Sequence, residues 1–114
     1  MRVLLDTHVF IWIDDSPEKV SRHVMSLLLN TDNILMLSMA SLWEMQIEIQ
    51  LGKLQLNAPL PEVVATQQQI NALQILPIEL THIFALDGLP KHHRDPFDRL
   101  LIAQAIVTQI PILS

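Results

Sequence analysis

RVLLDTHVFIWIDD, residues 2–15, changes its spacing partway along, and that change decides the fold class. Arg2 to Asp6 reads as a short buried strand, whereas the apolar residues from Thr7 onward have helical spacing. The remainder repeats the alternation. Ser16-Pro17-Glu18 offers a cap, a first-turn proline and a first-turn acid, predicting a helix through about Asn30. Asn33 to Leu37 (NILML) reads as a second buried strand, after which Ser38 caps MASLWEMQIEIQL, stopped by Gly52. Pro59 to Leu73 predicts a helix, Gln74 to Ile78 a third strand, and Thr81 to Leu86 a short helix closed by Asp87-Gly88. The last helix follows Asp95-Pro96, and Ile110 to Leu113 reads as a fourth strand. Strands separated by helices imply parallel pairing and right-handed crossovers, hence a three-layer α/β/α sandwich with a central, mainly parallel sheet. Ligands of such sheets collect at the carboxyl ends of the strands.

Composition narrows the chemistry. A length of 114 residues suits a single domain, residues 1–114, and 50% hydrophobic with 17% charged residues is ample apolar material for one core. No window reaches the roughly 18 uninterrupted apolar residues of a membrane span. The start, MRVLLDTH, meets an acid where a signal peptide would stay apolar. The expectation is a soluble, cytoplasmic protein with no membrane partner. Absence of cysteine excludes disulfides, thiolate metal sites and cysteine nucleophiles, leaving carboxylates, histidines and hydroxyls. A net charge of −5 argues against a broadly basic nucleic-acid surface but leaves room for a local basic patch. Two glycines, in no phosphate-loop pattern, supply no such loop.

Three acids stand out by position. Asp6 ends the first strand, where it reads either as an N-cap or as a site residue. Glu44 has Ala40, Ile47, Glu48 and Leu51 as its helical neighbours, a largely apolar surface. Leu42, Met45 and Ile49 form a second apolar side, leaving Gln46 and Gln50 as the clearly polar strip. A helix of this kind is expected to be buried twice, on its own sheet and, through Leu42, Met45 and Ile49, against a partner, and an acid on it needs a counter-charge or a metal. Glu48 reads either as a solvated residue near Lys53 or as a direct participant. In HHRDPFDRLLIAQA, residues 92–105, Asp95 is placed to cap, Pro96 takes the first helical position and Asp98 lies in the first turn. Capping alone accounts for both acids locally. Asp6, Glu44 and Asp98 can nevertheless meet at one sheet edge, and carboxylates without cysteine suit Mg²⁺ or Mn²⁺ and phosphate chemistry.

Three segments carry a family resemblance that spans the whole chain: LLDTHVFIW (4–12), SMASLWEMQIEIQLGKL (38–54) and HHRDPFDRLLIAQAIVTQIPILS (92–114). They resemble the PIN-domain nucleases and, within them, the VapC-type toxins of bacterial toxin–antitoxin modules. The resemblance implies that Asp6, Glu44 and Asp98 are catalytic ligands of Mg²⁺ or Mn²⁺, with Asp95 of the same motif either a further ligand or only a cap. It implies cleavage of single-stranded or structured RNA by metal-activated water, a homodimer, and inhibition by a cognate antitoxin. Similar proteins place another acidic or polar residue just after the strand read here at 110–113, followed by a closing segment. With Ser114 the last residue, the expectation is a fold truncated after the fourth strand and weak cleavage. The alternative is a PIN domain that dimerises and binds an antitoxin without cutting RNA.

Other residues keep two readings. Lys91, His92, His93 and Arg94 either attract RNA phosphate or form a charged turn before a capped helix. His8 contacts RNA or orders a water, or is an ordinary polar helix start. Arg99 either pairs with Asp95 or touches substrate. Trp12 and Trp43 are expected in core or dimer contacts rather than stacked on bases.

Overall fold

Pleating of two strands sets up the layers. The computed structural model describes residues 1–90 and 95–114. Strands β1 (Arg2–Leu5), β2 (Ile34–Ser38), β3 (Gln74–Leu76) and β4 (Ile112–Leu113) form one sheet in the order β3-β2-β1-β4, with every neighbouring pair parallel. Val3 and Leu5 of β1 and Leu35 and Leu37 of β2 enter one core. They meet Val9 and Phe10 of α1 (Thr7–Asp15), Val24 of α2 (Arg22–Leu29), Met45 of α3 (Met39–Gln50), and Leu60 and Val63 of α4 (Leu60–Asn71). The opposite face carries α5 (Leu80–Ala85) and α6 (Pro96–Thr108), packed on each other. Leu4 and Met36, one residue out of phase, join Leu76, Leu101 and Ile110 there. Burial on both faces explains why the central strands read as apolar runs rather than alternating ones. The architecture is the α/β/α sandwich with a parallel sheet.

Local signals fixed some boundaries and misled at others. Asp95 caps α6 as expected, and Gly52 ends α3 with φ at 73°. The Gly52 N–H donates to Ile49 O and the Lys53 N–H to Glu48 O, the paired bonds of a Schellman turn. Ser16-Pro17-Glu18, by contrast, opens only a 3₁₀ turn at Pro17–Lys19. Val20 is drawn into the core, which breaks the run, and Ser21 caps α2 through Oγ, accepting from the Val24 N–H at 3.2 Å. The helix expected through Leu73 stops at Asn71, because Ala72 turns left-handed at φ 52° and releases Leu73 into the core. β3 is shorter than read because Pro77 has no N–H for a ladder. Met45, expected on an interface, is 0% exposed and belongs to the chain's own core, with Leu42 and Ile49 packed against it. The exposed hydrophobic residues of α3 are Met39 and Trp43 instead.

A buried polar network ties the two halves together. Ser38 accepts the Ala40 N–H at 2.9 Å, capping α3, and donates its hydroxyl proton to Gln104 Oε1 of α6. Gln104 Nε2 donates to Pro77 O at 3.2 Å and lies 3.3 Å from His82 Nδ1, which also accepts the Glu79 N–H at 3.0 Å. Ser38, Gln104 and His82 are all buried, and among the described residues no buried side-chain nitrogen or oxygen lacks a partner. Gln104→Leu keeps the volume but strands the Ser38 hydroxyl and the Pro77 carbonyl, each costing ~1–3 kcal/mol. Urea denaturation should show a loss of at least ~2 kcal/mol; an unchanged midpoint and slope would show that the network contributes no net stability.

Candidate metal centre

Helices α3 and α6 bring the acids together by passing antiparallel. Along α3, Ser38, Trp43 and Glu44 in ascending order meet Gln104, Phe97 and the Asp95–Asp98 turn in descending order along α6. Glu44, Asp95 and Asp98 each offer a carboxylate oxygen, and these oxygens lie within 4.8 Å of one another. Asp95 enters this group while also capping α6: its Oδ1 accepts from the N–H groups of Phe97 at 2.8 Å and Asp98 at 3.3 Å. Capping uses one oxygen of the pair, so the two roles are compatible.

Asp6 stands apart from that group. Its backbone is fixed at the sheet edge, with the N–H donating to Leu113 O at 2.9 Å and the carbonyl accepting from the Phe10 N–H at 3.1 Å. It occupies the N-cap position of α1, but its side chain makes no cap hydrogen bond. The connection to the acids runs through the next residue. Thr7 is buried, places its hydroxyl 2.9 Å from that of Ser41, and hydrogen-bonds the Glu44 carboxylate. Thr7 and Ser41 were not singled out from sequence. The signal was present in spacing, since Ser41 lies three residues before Glu44 on one helix face and Thr7 directly follows the strand-end acid.

The remaining sequence candidates separate. His8 is exposed and lies 6.0 Å from the Trp12 ring, centroid to centroid. Trp12 packs on the core, whereas Trp43 is exposed and meets Phe97 edge to face at 5.1 Å. Arg99 donates to Leu86 O at 3.1 Å and Pro90 O at 3.2 Å. Glu48 lines the same cleft as Glu44 and Lys53. Lys91, His92, His93 and Arg94 lie outside the described residues.

Electrostatics make this an acid-rich centre. Burial pushes the Glu44 carboxyl above its ordinary value, and the charges of Asp95, Glu48 and Asp98 push the same way, against the hydrogen bond from Thr7. The donor set is oxygen only, as Mg²⁺ and Mn²⁺ prefer. Carboxylate oxygens within 4.8 Å of one another are near enough for side-chain rotation to bring them onto one cation. The residues fit the metal.

Fold and centre thus define an α/β sandwich with a carboxylate cluster where α3 and α6 meet. The PIN domain family profile matches residues 3–114, and the chain belongs to that family. PIN domains are in general nucleases, and the acidic cluster is of the kind such chemistry uses. Two solved structures share the fold. VapBC2 from Rickettsia felis, bound to a DNA fragment from its promoter, has a TM-score of 0.70 at 15% identity, covering 100% of this chain and 86% of that one. A toxin–antitoxin complex from Klebsiella pneumoniae has a TM-score of 0.57 at 14% identity, covering 98% of this chain and 84% of that one. At these identities the likeness is one of fold. No curated protein sequence matches.

The sign of the Glu44 shift sets a pH dependence. Below the ordinary glutamate range the carboxyl is protonated in both states and contributes nothing. As pH rises through that value the unfolded chain ionises first, and stability is lost until the raised folded carboxyl ionises too. Glu44→Gln should therefore melt higher than the parent at neutral pH without divalent metal, with the difference vanishing in acid. A difference independent of pH would refute the raised Glu44 carboxyl.

Proposed function

We propose that this chain is a metal-dependent endoribonuclease of the VapC toxin type, cutting RNA phosphodiester bonds with metal-activated water. The observation that carries this reading is the convergence of Glu44, Asp95 and Asp98 in a PIN fold, with Asp6 one residue from the threonine that holds Glu44. Asp6, Glu44 and Asp98 are the proposed ligands of Mg²⁺ or Mn²⁺, and Asp95 shares the centre while starting α6. A cation bound there would polarise the phosphodiester and lower the pKa of its water. It also offsets the chain's net charge of −5 where a polyanion must approach. Thr7 orients the Glu44 carboxylate, and Ser41 supports Thr7. His8, Lys91, His92, His93 and Arg94 are proposed RNA contacts.

The proposed partners are RNA, a cognate antitoxin and a second copy of the chain. The antitoxin reading is supported by fold neighbours that are toxin–antitoxin complexes. Homodimerisation is supported by exposed Leu80 and Phe84, one turn apart on α5, and by exposed Ile106 on α6. No helix among the described residues is long and apolar enough to cross a membrane. The proposed setting is the cytoplasm.

Calorimetry with Mn²⁺ tests the centre. Glu44→Gln and Asp98→Asn should weaken binding by roughly ten-fold or more, Asp6→Asn should weaken it too, and RNA cleavage should fall in step. Mn²⁺ should also raise the parent's melting temperature. Asn at position 95 remains a competent cap, so a loss in Asp95→Asn as large as in Asp98→Asn makes Asp95 a direct ligand. Binding unaffected by all of these changes would reject the centre, and metal binding without cleavage would favour a domain that only dimerises and binds its antitoxin.

A further inference from the structure

A cleft of about 270 Å³ opens beside the acids, between the second half of α3 and the start of α6. Glu44, Ile47, Glu48 and Leu51 share one helical face and contribute one wall. Asp95, Pro96 and Phe97 contribute the other. The acids lie at one end of the α3 wall; Leu51 is seven residues further, roughly 10 Å along the helix axis. Lys53 stands at that far end, its backbone held by the Schellman turn that closes α3. Phe97 is braced by Trp43, whose ring meets it at 86°. Ile47 and Phe97 are half-buried, and Leu51 is 63% exposed.

Size and composition limit the occupant. Pockets for small molecules run from roughly 300 to 1,000 Å³, and an α-helix is about 10–12 Å across, so this cleft suits one flat group and neither a helix nor a duplex. Its lining combines the apolar and aromatic surfaces of Ile47, Leu51, Pro96 and Phe97 with the carboxylate of Glu48, its far end carries Lys53, and its near end shares Glu44 and Asp95 with the proposed metal centre. An unpaired nucleotide matches each part: a π-face for Phe97, an apolar edge for Ile47 and Leu51, and a phosphate for Lys53.

We propose that this cleft is a base subsite for single-stranded nucleic acid. One unpaired base stacks on Phe97 against Ile47 and Leu51, with Lys53 beside the backbone, and the adjoining phosphodiester lies over the Glu44–Asp95–Asp98 group. The subsite rests on the nuclease reading for its purpose but not for its binding. Base stacking tolerates sequence, so the subsite selects for unpaired strand before it selects among bases.

Binding without metal tests it separately from catalysis. Fluorescence anisotropy in chelator and low salt would compare a short single-stranded oligonucleotide with an abasic strand of equal length and charge. The folded parent should prefer the intact strand by roughly ten-fold or more, the scale of one aromatic–base stack. Phe97→Ala should abolish the preference and Phe97→Trp should keep it. Leu51→Asn, at an exposed position, should reduce it and serves as the second probe should Phe97→Ala fold poorly. Lys53→Gln should weaken both strands alike and lower the salt slope. Equal binding of the two strands by the parent, or an undiminished preference in Leu51→Asn and folded Phe97→Ala, would overturn the subsite and leave the cleft to a protein partner. Lost Mn²⁺ binding with retained base preference would sink the metal reading alone.

Discussion

The proton that Ser38 gives to Gln104 joins the end of a central strand and the start of α3 to the middle of α6. Ser38 ends β2 and caps α3, while Gln104 belongs to α6 and reaches both the exit of β3 at Pro77 and the buried ring of His82. A buried amide must satisfy both ends of its dipole, so this side chain has very few allowed positions. That restriction fixes how α3 and α6 pass each other. Glu44 lies six residues beyond Ser38, and Asp98 six residues before Gln104, so the meeting of the acids follows from where the helices are tied.

Holding carboxylates this close is unfavourable, and the fold answers it in part with hydrogen bonds to Asp95 and Glu44. Asp95 directs one oxygen at the N–H groups opening α6, where the helix dipole favours negative charge. Glu44 has the Thr7 hydroxyl but is raised by its own burial and by three neighbouring acids. An arrangement that costs stability and is nonetheless maintained by a rigid network is the pattern of a functional site rather than of a packing solution.

Much of this was legible in the sequence because it depends on local physics. The parallel α/β layering follows from apolar runs alternating with helical periods, and Asp95-Pro96 and Gly52 act through dihedral and capping preferences of their own residues. Ser16 misled because a cap signal cannot report that Val20, four residues on, is needed in the core. Met45 misled for a related reason: periodicity separates the sides of a helix but does not say which side meets the chain's own sheet and which is left over. Asp95 was divided between cap and ligand, although one carboxylate has oxygens for both. Gln104 carried no signal, since a glutamine in an apolar helix shows its importance only when its partners, distant in sequence, are known.

The leftover side of α3 can be followed residue by residue. Ser38 ties the helix to α6, Ser41 meets Thr7, and Glu44 joins the acids. Ile47 and Leu51 then line the cleft, and the chain reverses at Gly52 to set Lys53 at its end. The steps are three or four residues, so they stay near one face while the surroundings change from a closed, hydrogen-bonded contact to an open apolar one. Two antiparallel helices bound firmly at one end and held by an aromatic pair partway along leave their gap at the other end. The apolar side of α3 that carries Glu44 therefore does not require a partner helix to account for it: Ile47 and Leu51 face the gap that begins at the acids.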